Sequence, residues 1–196
     1  MKIILASASP RRKELLSRLG WEFEVCVSDA EEKITKSDPG EIVEELSALK
    51  AKAVFDKLEG DESGDILVIG SDTVVAYEGK ILGKPVDAAD AVRMLKMLQG
   101  KTHEVYTGVT MHMQKGGKEI VKTFHESAEV TFYPMSQEEI DWYVASLEPM
   151  DKAGAYGIQG LGGRFVKGIR GDYSTIVGLP AARLYQEWKK LNENIR

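Results

Sequence analysis

The sequence has little of what the commonest ready-made sites are built from. It contains one cysteine, Cys26, and three histidines, His103, His112 and His125. A single cysteine excludes an internal disulfide and a thiolate metal cage, and it suits a reducing compartment. The histidines fall in or beside expected strands without metal-ligand spacing, so they read as structural. Neither a Gly-x-x-x-x-Gly-Lys-Ser/Thr phosphate loop nor a Gly-x-Gly-x-x-Gly dinucleotide fingerprint occurs. No apolar run approaches the roughly 20 residues of a membrane-spanning helix. The apolar start at residues 3–6 is too short for a signal peptide. These absences lead us to expect a cytoplasmic protein with no membrane partner. A basic field is missing as well: the formal charge is −5, which argues against sequence-independent binding of long nucleic acid.

What is present is the balance of a folded globular protein, with 43% hydrophobic and 29% charged residues in 196. That length suffices for one α/β domain or for two small lobes sharing a core. No repeat, low-complexity tract or linker divides the chain, so we take residues 1–196 as a single domain.

Periodicity and punctuation predict the elements. Residues 3–6 form a short buried strand. A helix follows with Ser9 as N-cap, Pro10 at its first position and Gly20 beyond its end. Residues 23–27 form a second strand. Asp38, Pro39 and Glu41 start a helix reaching Leu58, and residues 59–64 make a polar break. A buried strand at 66–69 runs into Gly70-Ser71-Asp72-Thr73. Strands at 74–77 and 80–82 flank a Glu78-Gly79 turn. Asp87 caps a third helix ended by Gly100. A long hairpin, 105–113 and 120–132, turns at Gly116-Gly117. Ser136 and Glu139 form a capping box for a helix to Leu147. Residues 149–164 read as glycine-rich loop, 165–169 and 174–177 as strands, and a final helix follows Pro180. Early alternation of strands and helices, interrupted by a hairpin, predicts an α/β fold with a mixed sheet flanked by helices.

Four segments carry chemistry. Ser7 to Arg12 joins a strand to a helix start, where free N–H groups and the helix dipole favour an anion. Arg11 and Arg12 add guanidiniums suited to phosphate. The plainer reading is a capped helix with solvated arginines. In Gly70-Ser71-Asp72-Thr73 a carboxylate sits at the end of a buried strand, where it can hold a cation or activate water; a turn aspartate is the plainer reading. In Gly83-Lys84-Pro85 the lysine can neutralise a phosphate or be a solvated turn residue. In residues 151–160 glycines alternate with Tyr156, Ile158 and Gln159. Gln159 offers a donor and an acceptor, which suits the edge of a base; a plain glycine-rich connection is the alternative.

In combination these segments resemble the Maf family of nucleoside triphosphate pyrophosphatases. The resemblance rests on Ala6-Ser7-Ala8-Ser9-Pro10-Arg11-Arg12, Glu31-Glu32, Lys50-Ala51, Gly70-Ser71-Asp72-Thr73, Gly83-Lys84-Pro85 and residues 151–160, in that order along nearly the whole chain. It implies an elongated, inosine-triphosphatase-like α/β fold with a cleft between two lobes. It implies cleavage of the α–β anhydride to a nucleoside monophosphate and pyrophosphate, with Mg²⁺ or Mn²⁺. Arg12, Thr73 and Gln159 match the subgroup that acts on dTTP, UTP and some modified pyrimidine nucleotides. Ser7, Ser9, Arg11, Arg12, Thr73 and Gln159 are then expected to bind substrate. Asp72, Lys84 and Lys50 are expected to act in catalysis, and Glu32 with Asp72 to hold the metal. Metal ligation and proton acceptance compete for Asp72, and both stay open. The resemblance implies a homodimer. Two other readings are a non-catalytic nucleotide-binding regulator of cell division and septum formation, and a pyrophosphatase for a modified purine nucleotide.

Overall fold

The computed structural model describes residues 1–58 and 64–193. The polar break expected at 59–64 therefore lies, except for Gly64, outside the described residues. Among the described residues seven strands form one mixed sheet: β1 (Lys2–Leu5), β2 (Glu24–Val25), β3 (Ile66–Tyr77), β4 (Lys80–Leu82), β5 (Thr102–Lys115), β6 (Lys118–Phe132) and β7 (Val166–Arg170). Their spatial order is β2-β1-β3-β5-β6-β7, with β4 paired to β3. β1 runs parallel to both β2 and β3, whereas β4 is antiparallel to β3 and β7 to β6. The helices are α1 (Pro10–Ser17), α2 (Pro39–Asp56), α3 (Ala88–Leu98), α4 (Gln137–Ala145), α5 (Tyr173–Val177) and α6 (Ala181–Glu193).

The expected helix starts are built as their sequences dictate. Ser9 caps α1, Asp38 caps α2 through the Gly40 and Glu41 N–H groups, and Asp87 caps α3. In α4 the reciprocal bonds of the Ser136–Glu139 capping box are both made. The Glu78-Gly79 and Gly116-Gly117 hairpins form where expected, with positive φ at all four residues.

The chain packs as two compact units. The first comprises Met1–Asp72, Thr107–Glu126 and Gly178–Arg196; the second comprises Thr73–Tyr106 and Ser127–Val177. Within the first, Ile4, Ile66 and Val68 of the sheet and Ala6 just beyond β1 meet Ala51, Val54 and Phe55 of α2 in a buried cluster. Within the second, Ala91, Met94, Leu95 and Leu98 of α3 and Ile140, Tyr143 and Val144 of α4 close over Val75, Val105, Val130 and Phe132. Burial of such aliphatic side chains contributes roughly 1.5–3 kcal/mol each.

Two expectations are corrected. Gly70-Ser71-Asp72-Thr73 is not the exit from a strand: it lies inside β3, which spans 12 residues in all. The reason lies in Gly70. A Cβ there would stand 2.2 Å from the Ser47 carbonyl oxygen and 2.8 Å from the Ala51 nitrogen. Glycine thus lets α2 lie directly on the strand, which a turn reading of Gly-Ser-Asp overlooks. Residues 174–177 form α5 rather than a strand. Their β-branched composition favours extended backbone, but the Asp172 carboxylate accepts from the Ser174 and Thr175 N–H groups at 3.2 and 3.0 Å and from both hydroxyls. That local capping starts a helical turn instead. The expected loop at 149–164 contains three short 3-10 turns, Glu148–Asp151, Ala153–Ala155 and Leu161–Phe165.

Candidate active site

In the first unit, β1 delivers Ser7 to the start of α1. The Ser9 hydroxyl accepts from the Arg12 N–H at 3.4 Å, and Pro10 supplies the first helical φ. The Ser7 hydroxyl accepts from the Ser9 N–H and from an Arg12 terminal nitrogen, each at 3.3 Å. Arg12 Nε donates to the Gly178 carbonyl at 2.8 Å. Fully buried Ser71 donates to the same carbonyl at 3.0 Å. The guanidinium is thus held by Ser7 and by the Gly178 carbonyl, to which Ser71 also donates.

The electrostatics around Arg12 follow from this packing. Burial pushes its pKa below the ordinary arginine value, and Arg11 acts in the same sense, while Asp72 and Glu32 oppose the shift. An arginine side chain keeps its charge in a protein, so Arg12 presents a guanidinium cation.

Asp72 lies near the middle of β3 and is 9% exposed. Lys50, on α2, reaches its Oδ1 at 2.5 Å and Glu32 Oε1 at 2.9 Å. One ammonium is therefore shared by two carboxylates from distant parts of the sequence. The geometry brings together Glu32, Lys50 and Asp72, and separately ties Ser7, Ser9 and Arg12 around the start of α1. Arg11 belongs to the same helix and is partly buried.

Thr73, Lys84 and Gln159 belong to the second unit. Thr73 directly follows Asp72 and is partly buried; Lys84 and Gln159 are exposed. The Gly83 carbonyl accepts from the Gly154 N–H at 3.0 Å, so the Lys84 turn and the glycine-rich stretch are fastened to each other. The three histidines are engaged within the fold. His103 bonds the Tyr156 hydroxyl at 2.9 Å, His112 stacks on Phe55 at 3.7 Å, and His125 bonds Glu44 at 2.7 Å.

A family model described as Maf-like protein matches residues 2–191. The chain belongs to the Maf family. This Maf chain is 54% identical over 203 residues to a dTTP/UTP pyrophosphatase of Agathobacter rectalis, with 99% of each chain covered. It is 52% identical over 195 residues to a dTTP/UTP pyrophosphatase of Bacillus thuringiensis, covering 99% of this chain and 97% of the other. Among solved structures, the Ham1 protein of Staphylococcus aureus matches at 19% identity over 79% of this chain and 85% of that one. Its TM-score is 0.41, too low to bear on the fold.

Sequence reasoning missed two residues in this Maf site. The sequence pattern gives Ser71 no role of its own and does not mark Gly178. Their function depends on a carbonyl 107 residues from Ser71 along the chain. No local pattern marks a backbone acceptor of that kind. Among the described residues no helix is long and apolar enough to cross a membrane.

Proposed function

We propose that this Maf chain is a nucleoside triphosphate pyrophosphatase that hydrolyses dTTP and UTP to the nucleoside monophosphate and pyrophosphate, with a house-cleaning role in the nucleotide pool. The observation that carries the proposal is its likeness, over 99% of its length, to two proteins bearing that activity as their name. The chemistry of the first unit supports it. Arg11 and Arg12 at the start of α1 offer the bidentate donors that phosphate oxygens accept. Ser7 uses its lone pairs within the fold, so its own proton is the group left for a phosphate oxygen. Lys50 supplies a further cation, and Asp72 is our candidate for accepting the proton of the attacking water. In-line phosphoryl displacement asks chiefly for such positioning and charge neutralisation. In the second unit, Thr73 and Gln159 are proposed to read the pyrimidine and Lys84 to neutralise phosphate.

Mg²⁺ or Mn²⁺ is part of the proposal, with Glu32 and Asp72 as its protein ligands. Both are hard oxygen donors, and both already converge on one cationic atom, Lys50 Nζ. Among the described residues no group of three or more His, Cys, Asp or Glu side chains is placed to hold a metal. Two carboxylates supplemented by substrate phosphates are a usual arrangement for Mg²⁺. Bound there, the cation would polarise the anhydride and lower the pKa of water. A cytoplasmic location fits the free Cys26, and a homodimer is proposed on family resemblance alone.

The test is a panel of pyrimidine and purine triphosphates, each incubated with Mg²⁺ or Mn²⁺ and followed by product identification. The expected products are dTMP or UMP with pyrophosphate. Orthophosphate and a nucleoside diphosphate would overturn the reaction. Binding without turnover would favour the regulatory reading, and preference for a modified purine nucleotide would overturn the substrate.

A further inference from the structure

Gln159 sits in a stretch that should be difficult to hold still. Glycine occupies positions 157, 160, 162 and 163, and each loses more backbone freedom on ordering than any other residue. A base-reading amide needs a fixed direction, because hydrogen bonds weaken steeply with angle. Something outside the stretch must supply that rigidity.

Two side chains do. The Tyr143 hydroxyl, on α4, accepts from the Gly157 N–H at 3.0 Å and donates to Glu148 Oε1 at 2.8 Å. The same Oε1 accepts from the Gly162 N–H at 3.1 Å, and Oε2 accepts from the Leu161 N–H at 2.8 Å. The backbone is therefore tied two residues before Gln159 and again two and three residues after it. Lys152 Nζ donates to the Glu148 carbonyl at 2.7 Å, which fastens the clamp to the start of the stretch.

Two of the four glycines are accounted for by this clamp. A Cβ at Gly160 would stand 2.3 Å from Glu148 Oε2, and one at Gly162 would stand 2.5 Å from the Tyr143 hydroxyl oxygen. Any side chain at either position would push the carboxylate or the phenol away. The charge states suit the arrangement. Burial raises the Glu148 carboxyl, but bonds from the Leu161 and Gly162 N–H groups and from Tyr143, together with Lys152, outweigh it and hold its pKa below the usual range. The Tyr143 phenol is pushed up, chiefly by burial, and so remains a donor.

We propose that Glu148 and Tyr143 are positioning residues for base selection: they clamp the 157–162 backbone and thereby aim Gln159. The proposal rests on the reading of Gln159 as a base-contacting residue. It concerns selectivity, since neither clamp residue is assigned to the hydrolytic chemistry of Asp72.

The experiment is a double-mutant cycle on the full chain. Glu148→Gln and Tyr143→Phe are made alone and each combined with Gln159→Ala. The values kcat and KM are measured for dTTP and for dGTP. Glu148→Gln replaces one acceptor with an amide donor facing backbone donors, and Tyr143→Phe deletes the bond to Gly157. Each is expected to lower the dTTP:dGTP ratio of kcat/KM about tenfold, mainly through KM for dTTP. Neither is expected to lower it further once Gln159 is alanine, because residues acting through one another are non-additive. A merely structural role would depress both substrates in parallel and leave the ratio intact, which would overturn the clamp. Additive losses would overturn it equally. If Glu148→Gln does not fold, the Tyr143→Phe cycle decides alone, as it retains the ring. Unchanged selectivity in Gln159→Ala by itself would overturn the underlying reading of Gln159 instead.

Discussion

Lys50 donates to Asp72 across 2.5 Å, from the middle of a helix to the middle of a strand. Both side chains are nearly enclosed, at 15% and 12% exposed. A pair so placed costs more to break than a surface ion pair, because either partner left alone keeps a charge in a poorly solvated position.

From this pair follows a separation of stability from chemistry. Asp72→Asn keeps the size of the side chain and removes the charge. We expect it to lower kcat by a factor on the order of 10²–10⁴, the usual contribution of a positioned acid or base. Lys50→Met should lower activity too and should also destabilise the fold, by up to about 3 kcal/mol. Steady-state kinetics beside urea unfolding would check both. Full activity in Asp72→Asn would remove it from the mechanism.

Ser9 has two candidate jobs that substitution can part. Its bond to the Arg12 N–H is long, at 3.4 Å, so loss of the cap in Ser9→Ala should cost about 0.5–1 kcal/mol. Ser9→Asp retains a capping acceptor but adds a negative charge where phosphate is proposed to bind. We expect near-native stability with KM for dTTP raised about tenfold or more. An unchanged KM in both variants would leave Ser9 as a helix cap only.

His103 supplies a pH prediction. Burial lowers its pKa from 6.5 to about 4, so the unfolded chain takes up this proton before the folded chain does. Stability from the neutral ring is present above pH 6.5 and is lost as pH falls from 6.5 through 4. The full difference amounts to about 3 kcal/mol. Chemical unfolding measured at intervals across this window should show the decline. His103→Gln should flatten it, and an unaltered slope in that variant would refute the assignment.

The sequence and the structure agree most closely where local chemistry decides. Ser9-Pro10, Asp38-Pro39, Asp87 and Ser136 with Glu139 each satisfy helix-end N–H groups from within a few residues, and each marks its helix correctly. The two paired-glycine or glycine-containing hairpin turns are legible for the same reason. Agreement fails where a packing contact or a cap that the residue pattern does not announce overrides intrinsic propensity. Gly70 looks like a turn residue until α2 is laid against it, and residues 174–177 look like a strand until Asp172 folds back over them.

The site divides along the same line. The residue types, their order, and the pairing of basic groups with carboxylates were available from the chain alone, and so was the family resemblance they carry. That Glu32 and Asp72 share one lysine, that Ser71 and Arg12 share the Gly178 carbonyl, and that Glu148 and Tyr143 bind the backbone around Gln159 were decided only by folding. Caps and turns draw on neighbours in sequence, so a sequence can state them. These contacts close over 13 to 166 residues where they are long-range, and only the packing of helices on the sheet brings their partners within bonding distance.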